Sequence, residues 1–515
     1  MKAVLIDSNY KSNPPKSNDN GSDFVREIQN QNNQNTPKKL PTIIQGGMGV
    51  GISNWKLART VSIHGQFGVV SGTALDELLI RRLQTGDEGG HMRRALKAFP
   101  DPNVSRQILD RYYIEGGKKA DDPFISKPTP DGVPSRGIEE LLIAANFVEV
   151  FLAKEGHLGR VGINYLLKIQ TPLLASLYGA MLAGVNAVFI GAGIPLEIPA
   201  VINGLVRHAH VSIDLSIITD HPEKQHKLSF TPPKSLSSIG DELAKPMFFP
   251  IVSSAILASL LVKKLPNQID GIIIEKPSAG GHNAPPRGNA GLTTEGEPKY
   301  GPRDEIKLDA IKRLGLPFWL AGSYGSPEKL GQALSTGATG IQVGTLFAFC
   351  QESGLRKDLK HEALRLCQLG EQRVFRDPVA SPTGFPFQVL SLPETISEPK
   401  HYKQRSRQCD LGYLREAYEK ADGSVGWRCR AENPEVYVHK GGKHTHTIGR
   451  KCLCNGLMAN IGLAQVRRKT DVERPLVTCG CDLKSILRLM RPDNLNYTAT
   501  DVITFLLNES TTNTF

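Results

Sequence analysis

Short apolar runs alternate with amphipathic segments along the chain from Pro41 onward. Most runs have the length of a buried strand and end near a glycine, and helical spacing follows them. A repeated strand and helix unit places parallel strands side by side in one sheet. Strands are predicted at residues 42–45, 68–70, 160–165, 187–190, 248–252, 271–274, 318–321 and 340–343.

Eight such units predict an α/β protein with a closed (β/α)₈ barrel, the TIM-barrel fold, at residues 40–398. Two insertions interrupt it. Residues 86–137 are charged, rich in proline and partly helical at 104–113, and residues 211–241 have the pattern of a hairpin that turns at 220–224.

The two ends of the chain differ in composition from the barrel. Residues 1–39 are rich in Asn and Gln and predict a disordered leader. Residues 399–515 form a basic, cysteine-containing extension, in which helices at 452–463 and 482–490 are predicted to pack as a cap. No repeat of solenoid period is evident.

The uncharged run at residues 170–196 is long enough to span a bilayer. Its glycines and prolines instead divide it into a helix at 173–183, a turn and a strand, which is a unit of the barrel. The first residues have too short an apolar stretch for a signal peptide, so we expect a cytoplasmic protein without membrane contact.

The net charge of +11 is concentrated in the extension. Residues 401–470 hold 14 Lys or Arg against 6 Asp or Glu. This stretch lacks the aromatic spacing of a surface that binds single-stranded nucleic acid, so a solvated face is predicted there and nucleic acid is an unlikely partner.

The eight cysteines are expected to be reduced thiols. Two Cys-x-Cys pairs, Cys452/Cys454 and Cys479/Cys481, offer four sulfurs, but their spacing differs from the usual C-x₂₋₄-C of zinc sites. No metal is therefore expected, and the histidines at 439, 444 and 446 are predicted to be exposed.

Ligands of such barrels bind at the carboxyl ends of the strands. After the first strand, Gly46, Gly47 and Met48 allow close approach of the backbone to a flat ligand. After the last two strands come Gly322 and Ser323, and then the run Gln342, Val343, Gly344 and Thr345. Backbone amides at such helix starts favour an anion, so these two loops predict a phosphate site.

The segment after the sixth strand carries the candidate chemistry. It reads Glu275-Lys276-Pro277-Ser278-Ala279-Gly280-Gly281-His282. Its two glycines let the backbone pass close to a ring, and the pKa of a histidine suits proton transfer near neutrality. His282 is the predicted catalytic residue.

The motifs QGGMG, GIN, SAGGH, AGS and QVGT, in this order at these strand ends, resemble the nitronate monooxygenase (2-nitropropane dioxygenase-like) family over residues 40–396. The extension is similar to that of longer bacterial members. The resemblance implies a flavoprotein oxidoreductase that holds FMN in a TIM barrel and oxidises alkyl nitronates with O₂. It also implies that His282 is the base and that the flavin is bound by Gly46, Gly47, Met48, Asn164, Glu275, Gly280, Gly281, Gly322, Ser323, Gln342, Val343, Gly344 and Thr345.

Two departures from the family pattern concern the chemistry. Glu275 stands where an amide is usual and lacks its hydrogen-bond donor, and Ser323 stands where glycine is usual. In this hypothesis His282 removes the α-proton of a nitroalkane, whereas Lys276 or protonated His282 offsets the charge of a nitronate. Lys276 and Ser278 are the candidate substrate residues.

Three other functions stay open on the sequence alone. An FMN-dependent enoyl-acyl-carrier-protein reductase would use NAD(P)H and share the glycine and histidine loop, and its acidic carrier protein would suit the basic extension. An NAD(P)H:quinone reductase is possible on the same scaffold. A flavin-free protein that binds nucleic acid through residues 401–470 would show steep salt dependence. The sequence predicts no oligomeric state.

Overall fold

The computed structural model describes residues 26, 29, 39–128, 134–221, 223, 225–237, 240, 242–288, 291–468, 471–490 and 494–508. All eight predicted barrel strands are confirmed, with each end within one residue of its prediction. They are β1 (Ile43–Gln45), β2 (Gly68–Ser71), β3 (Val161–Leu166), β4 (Ala187–Gly191), β5 (Met247–Val252), β6 (Ile272–Glu275), β7 (Phe318–Ala321) and β8 (Gly340–Val343).

The eight strands form one parallel sheet that closes into a TIM barrel. Hydrogen-bonded neighbours follow the order β1, β8, β7, β6, β5, β4, β3, β2. A parallel bridge between Ile44 and Phe67 joins the two ends. There the Gln45 amide donates to the Phe67 carbonyl at 2.9 Å, and the Phe67 amide donates to the Ile43 carbonyl at 3.0 Å.

Aromatic side chains fill the barrel interior below the strand ends. Phe67, Phe189, Phe249 and Trp319 are fully buried and contact one another, with Phe189 and Phe249 stacked at 5.0 Å between ring centroids. The Trp319 indole N–H donates to the Pro41 carbonyl at 2.9 Å, so its polar atom is satisfied. This packed interior leaves space for a ligand only at the carboxyl ends.

Helices surround the barrel, and their buried faces form its outer core. They include Trp55–Ile63, Leu75–Gln84, Arg136–Lys154, Leu173–Leu182, Ile198–Val206, Ala255–Lys264, Leu308–Lys312, Pro327–Ser335, Thr345–Ala348 and Lys357–Leu369. The long helix Arg136–Lys154 packs closely on Leu173–Leu182 at Gly179, where a Cβ atom would lie 2.2 Å from the Ile143 carbonyl oxygen.

The insertions contain the elements that the sequence predicts. The first holds the helices His91–Lys97 and Pro102–Tyr112. The second forms an antiparallel hairpin of Val211–Asp214 with Lys227–Phe230. A short strand between them, Ile217–Ile218, pairs with a strand of the extension at residues 416–419.

The extension contains strands as well as helices. Its helices are Pro399–Gln404, Pro434–His439, Leu453–Asn460 and Ala499–Leu507, and Leu483–Arg488 is a 3₁₀ helix. Glu416–Glu419 and Val425–Arg428 form a hairpin, and a further hairpin, Val374–Asp377 with Phe387–Leu390, precedes the extension. The predicted helices at 452–463 and 482–490 thus correspond to a shorter helix and to a 3₁₀ segment.

The predicted leader lies almost entirely outside the described residues. Of residues 1–39, only Arg26, Gln29 and Lys39 are described. Gln29 is buried, and its side-chain amide donates to the carbonyls of Met181 and Leu182 at 3.0 and 3.3 Å. No described helix is long and apolar enough to cross a membrane.

The positive charge of the extension is partly internal, which corrects the prediction of a solvated face. Arg405, Arg428 and Arg467 are mostly buried and pair with carboxylates. Ion pairs between residues distant in sequence, such as Arg405 with Glu473, cannot be read from a local count of charges. His439, His444 and His446 are exposed, as predicted.

Candidate active site at the barrel mouth

A cavity of about 430 Å³ lies at the carboxyl ends of the barrel strands. This volume falls within the range of ~300–1,000 Å³ that is typical of small-molecule and cofactor sites. Every predicted site residue except Lys276 lines it: Gly46, Gly47, Met48, Asn164, Glu275, Ser278, Gly280, Gly281, His282, Gly322, Ser323, Gln342, Val343, Gly344 and Thr345.

The first loop is held open by hydrogen bonds within the protein. The Ser53 hydroxyl donates to the Gly46 carbonyl at 2.8 Å and accepts from the Met48 amide at 2.9 Å. A Cβ atom on Gly47 would lie 2.4 Å from the Cβ of Asn164. Glycine is therefore required at 47 because the loop packs directly on Asn164, a buried residue within β3.

The ends of β7 and β8 form an anion-binding corner. The backbone amides of Gly322 and Gly344 have no acceptor within the described part of the chain. Ser323 keeps the left-handed conformation that glycine adopts easily, with φ of 59°. The Ser326 side chain caps the helix Pro327–Ser335. The free amide of Gly322 and that of Gly344, which precedes the helix Thr345–Ala348, are suited to a phosphate.

Glu275 ends β6 at the wall of the cavity. Burial raises the pKa of its carboxyl group to about 7. Much of the Glu275 population is therefore protonated at neutral pH, and a protonated carboxyl group has an O–H donor. The hydrogen-bond donor that is lost when glutamate replaces an amide is thus regained in part through burial.

His282 is fixed by a chain of hydroxyl groups. Its Nε2 lies 2.7 Å from the Ser381 hydroxyl, and the Ser381 hydroxyl lies 2.8 Å from the Thr383 hydroxyl. Phe387 packs against the ring at 4.9 Å between centroids. Burial, and then the charge of Lys168, lowers the pKa of His282 to about 4. The imidazole is consequently neutral near pH 7, with Nδ1 as the nitrogen that has no partner among the described residues.

The two candidate substrate residues lie in different places. Ser278 lines the cavity, and its carbonyl accepts from the Cys481 amide at 3.1 Å. Lys276 is outside the lining, and its ammonium group lies 4.7 Å from the centre of the Tyr324 ring. The Lys276 amide donates to the Ala321 carbonyl at 3.0 Å, and Tyr324, which lines the cavity, lies between its ammonium group and the cavity.

The extension forms a roof over the cavity that the sequence motifs do not reveal. Residues 477–482 cross the loops that follow β6, β7 and β8. The Thr478 hydroxyl accepts from the Gly281 amide, and the Gly480 amide donates to the Thr345 hydroxyl, both at 2.8 Å. A Cβ atom on Gly280 would lie 2.8 Å from the Cys479 carbonyl carbon. Gly280 therefore has the backbone of residue 479 as a close neighbour. In the sequence, the glycine of Cys479-Gly480-Cys481 is the feature that could have indicated such a close backbone approach.

FMN is the cofactor that the sequence resemblance implies, and the residues present are compatible with it. The unpaired amides of Gly322 and Gly344 suit its phosphate, and the backbone of Gly46 and Gly47 lines the cavity beside Asn164. Asp482 already approaches the Gly325 amide at 3.4 Å, and burial raises the pKa of this carboxyl group. Burial thus disfavours the charged form of Asp482, which is the form that would oppose a nearby phosphate.

The fold and the site define a (β/α)₈ barrel with a roofed cavity at the carboxyl ends of its strands. No protein-family model and no curated protein matches the chain.

Distant similarity to solved structures is found at low sequence identity. FabK from Thermotoga maritima is 15% identical with a TM-score of 0.43, and the match covers 94% of each chain. Nitroalkane oxidase from Streptomyces ansochromogenes is 16% identical with a TM-score of 0.40, covering 91% of this chain and 95% of that one. The enoyl reductase domain of MlnA from the macrolactin biosynthesis cluster of Bacillus amyloliquefaciens is 13% identical with a TM-score of 0.45, covering 96% and 97%.

Proposed function

We propose that this protein is an FMN-dependent oxidoreductase that reduces the C=C double bond of an α,β-unsaturated acyl substrate at the expense of NAD(P)H. The observation that carries the proposal is the neutral His282, held by a hydroxyl chain in a roofed, mostly apolar cavity. Reduction of the double bond adds a hydride at one carbon and a proton at its neighbour. FMN, when bound, supplies the hydride chemistry, and the chain supplies the proton and the enclosure.

The low pKa of His282 indicates the direction of proton transfer. An imidazole whose protonated form is unstable removes a proton from a neutral carbon poorly, because a general base works best with a pKa near the working pH. The imidazolium form of His282, which takes its extra proton from solvent, is correspondingly acidic. It gives that proton readily to a strongly basic carbon, such as one that has just become enolate-like, and the neutral imidazole is regenerated. The Ser381 hydroxyl, itself bonded to Thr383, keeps the ring in one orientation, and the next proton comes from solvent.

The cavity walls suit an acyl chain. Many of the lining side chains are aliphatic or aromatic: Leu166, Ile169, Ile194, Ile251, Leu257, Phe385, Phe387, Leu414, Leu453 and Leu457. Apolar walls bind an acyl chain through the hydrophobic effect. They add little for a small nitronate, whose charge is better solvated by water.

Oxidation of nitronates with O₂ is the second candidate, and Lys168 favours it. The Lys168 ammonium group lies 4.3 Å from the centre of the Phe385 ring at the cavity wall and acts electrostatically on His282. It has no carboxylate partner within the described ranges. A cation beside the proton-transfer residue would stabilise an anionic substrate, and a preformed nitronate needs no base to remove a proton.

The absorption spectrum of the purified protein under anaerobic conditions tests both candidates. We expect a flavin spectrum that bleaches with NADPH, whose absorbance returns on addition of crotonyl-coenzyme A. Bleaching by propionate 3-nitronate without NADPH, and return of colour with O₂, would establish the second candidate instead. A protein that shows no flavin, even after incubation with FMN, would refute the whole assignment.

Two variants separate the proton transfer from cofactor binding. His282→Gln is expected to bind FMN and to bleach with NADPH, while the return of absorbance slows by about 10²–10⁴, the usual contribution of a general acid. Ser381→Ala should slow the return of absorbance less than His282→Gln does, because it removes only the hydrogen-bond partner of His282. It should also shift the pH dependence of that step. Equal rates in His282→Gln and in the unmodified protein would exclude His282 from the reaction.

A further inference from the structure

Four cysteines from three separate segments of the extension meet in one place. Cys409, Cys429, Cys452 and Cys454 form this four-thiol cluster, in which Cys429 and Cys452 are buried. The Cys409 and Cys429 thiols hydrogen-bond to each other. All six pairs are close enough to interact electrostatically. The pairing differs from the one that sequence spacing suggests, because Cys479 and Cys481 lie elsewhere, next to the β6 loop.

Backbone amides point at three of the four sulfurs. The Gly412 amide hydrogen-bonds to Cys409, and the Asn455 amide hydrogen-bonds to Cys452, each three residues along the chain. The Tyr413 and Leu414 amides hydrogen-bond to Cys454. A neutral thiol is a weak acceptor, whereas a thiolate bound to a metal is oriented and stabilised by such donors.

Arginines and carboxylates both lie near the cluster. The guanidinium groups of Arg405, Arg407 and Arg415 act electrostatically on its thiols, whereas Glu432 and Glu473 oppose thiolate formation, and Glu473 is already paired with Arg405. Arg407 donates to the carbonyls of Arg430, Ala431 and Thr447 and has no carboxylate partner among the described residues. Its charge therefore lacks a counter-ion while the thiols are protonated.

We propose that Cys409, Cys429, Cys452 and Cys454 bind one Zn²⁺ as a structural tetrathiolate site. Each thiol loses its proton on binding, so four protons are released and the bound site carries a charge of −2, which Arg407 offsets in part. Zinc in such sites is tetrahedral with Zn–S bonds of about 2.3 Å.

The four sulfurs must approach one another when the metal binds. The one group of three possible ligand atoms within 4.8 Å of one another in the described residues belongs to Glu394, Glu398 and His401. Arg474 and Lys400 already pair with those carboxylates, so a cation there would meet two positive charges. The four-thiol cluster instead has the unpaired guanidinium of Arg407 beside it, and its cysteines lie in a loop, directly after a strand and at a helix start.

The zinc would stabilise the roof of the cavity. Tyr413, Leu414, Leu453 and Cys454 line the cavity, and they belong to two of the segments that the metal would join. The Tyr413 hydroxyl also bonds to Asp76, which starts the helix after β2. The metal would therefore connect the roof to the barrel near β2, away from the free amides at the ends of β7 and β8. This proposal does not depend on which reaction the enzyme catalyses.

Metal analysis of the full-length protein purified without chelator is the first test. We expect about one zinc per chain by mass spectrometry, as for a structural site. Cys429→Ser should lose most of it, and the control Cys481→Ser should retain it. Protein refolded or exchanged with Co²⁺ should show the strong visible absorption of a tetrahedral cobalt thiolate.

Alkylation of the unmodified protein avoids reliance on variants that fail to fold. Zinc should protect the four cluster cysteines from iodoacetamide until a chelator is added, whereas the exposed Cys481 should react in both conditions. Absence of metal together with free reaction of all four thiols would overturn the proposal. So would a Cys409–Cys429 disulfide in metal-free protein that is folded and stable.

Discussion

The replacement Glu275→Gln should change how stability depends on pH. Burial raises the pKa of Glu275 from 4.5 to about 7, a difference of about 2.5 units. At ~1.36 kcal/mol per unit, ionisation of this carboxyl group opposes folding by about 3 kcal/mol. The folded state binds the proton more tightly than the unfolded state does, so stability is lost as pH rises from about 4.5 through about 7. Glutamine has no proton to lose and avoids this penalty.

Urea unfolding of the FMN-free protein at pH 4 and pH 8 measures the effect. At pH 8, Glu275→Gln should be more stable than the unmodified protein by about 3 kcal/mol, and at pH 4 the two should be nearly equal. The exposed Glu305→Gln is the control and should show no difference at either pH. A Glu275→Gln protein that is less stable at pH 8, or shifted equally at both pH values, would refute the buried, protonated carboxyl group.

Two further substitutions test the geometry of the mouth. Ser323→Gly should raise the free energy of unfolding by about 1 kcal/mol, because it relieves a left-handed conformation, whereas Ser326→Ala should lower it by about 1 kcal/mol through loss of a helix cap; urea midpoints that move in the same direction would contradict this. Gly480→Ala should lower stability by about 1–3 kcal/mol and weaken FMN binding, because the new Cβ would lie 2.9 Å from the Thr345 hydroxyl and 3.0 Å from the Ser278 carbonyl oxygen. The control is Gly331→Ala, at an open helix position, which should raise the free energy of unfolding by about 0.5–1 kcal/mol. If both glycine variants changed the free energy of unfolding equally, the roof would not be in close contact with the loops below it.

The barrel could be predicted from the sequence because each of its units is local. A strand such as Phe318–Ala321 is a short apolar run, and its ligand-facing residues follow it directly in the chain. In a parallel barrel all such positions converge at one end without any knowledge of long-range contacts. For the same reason the motifs at Gly46, Asn164, Gly322 and Gly344 share one cavity.

The roof and the four-thiol cluster could not be predicted in this way. The contact between Gly281 and Thr478 joins positions 197 residues apart, and no periodicity encodes it. Cys409 and Cys429 lie next to Cys452 only because of the tertiary fold. The sequence spacing instead suggested that the pairs Cys452/Cys454 and Cys479/Cys481 would supply the four sulfurs of one site. Lys276 illustrates a third limit, since the direction of a side chain after a strand depends on how the backbone turns.

The position of the roof at the end of the chain has a consequence for synthesis and folding. All eight barrel strands precede residue 344, whereas the segment that covers the mouth begins near residue 477. A chain that grows from its amino end can assemble the barrel while the mouth is still uncovered. Contacts that close such long loops form late, so the nascent protein would pass through a stage with an open cavity, when a large cofactor can enter without displacing the roof.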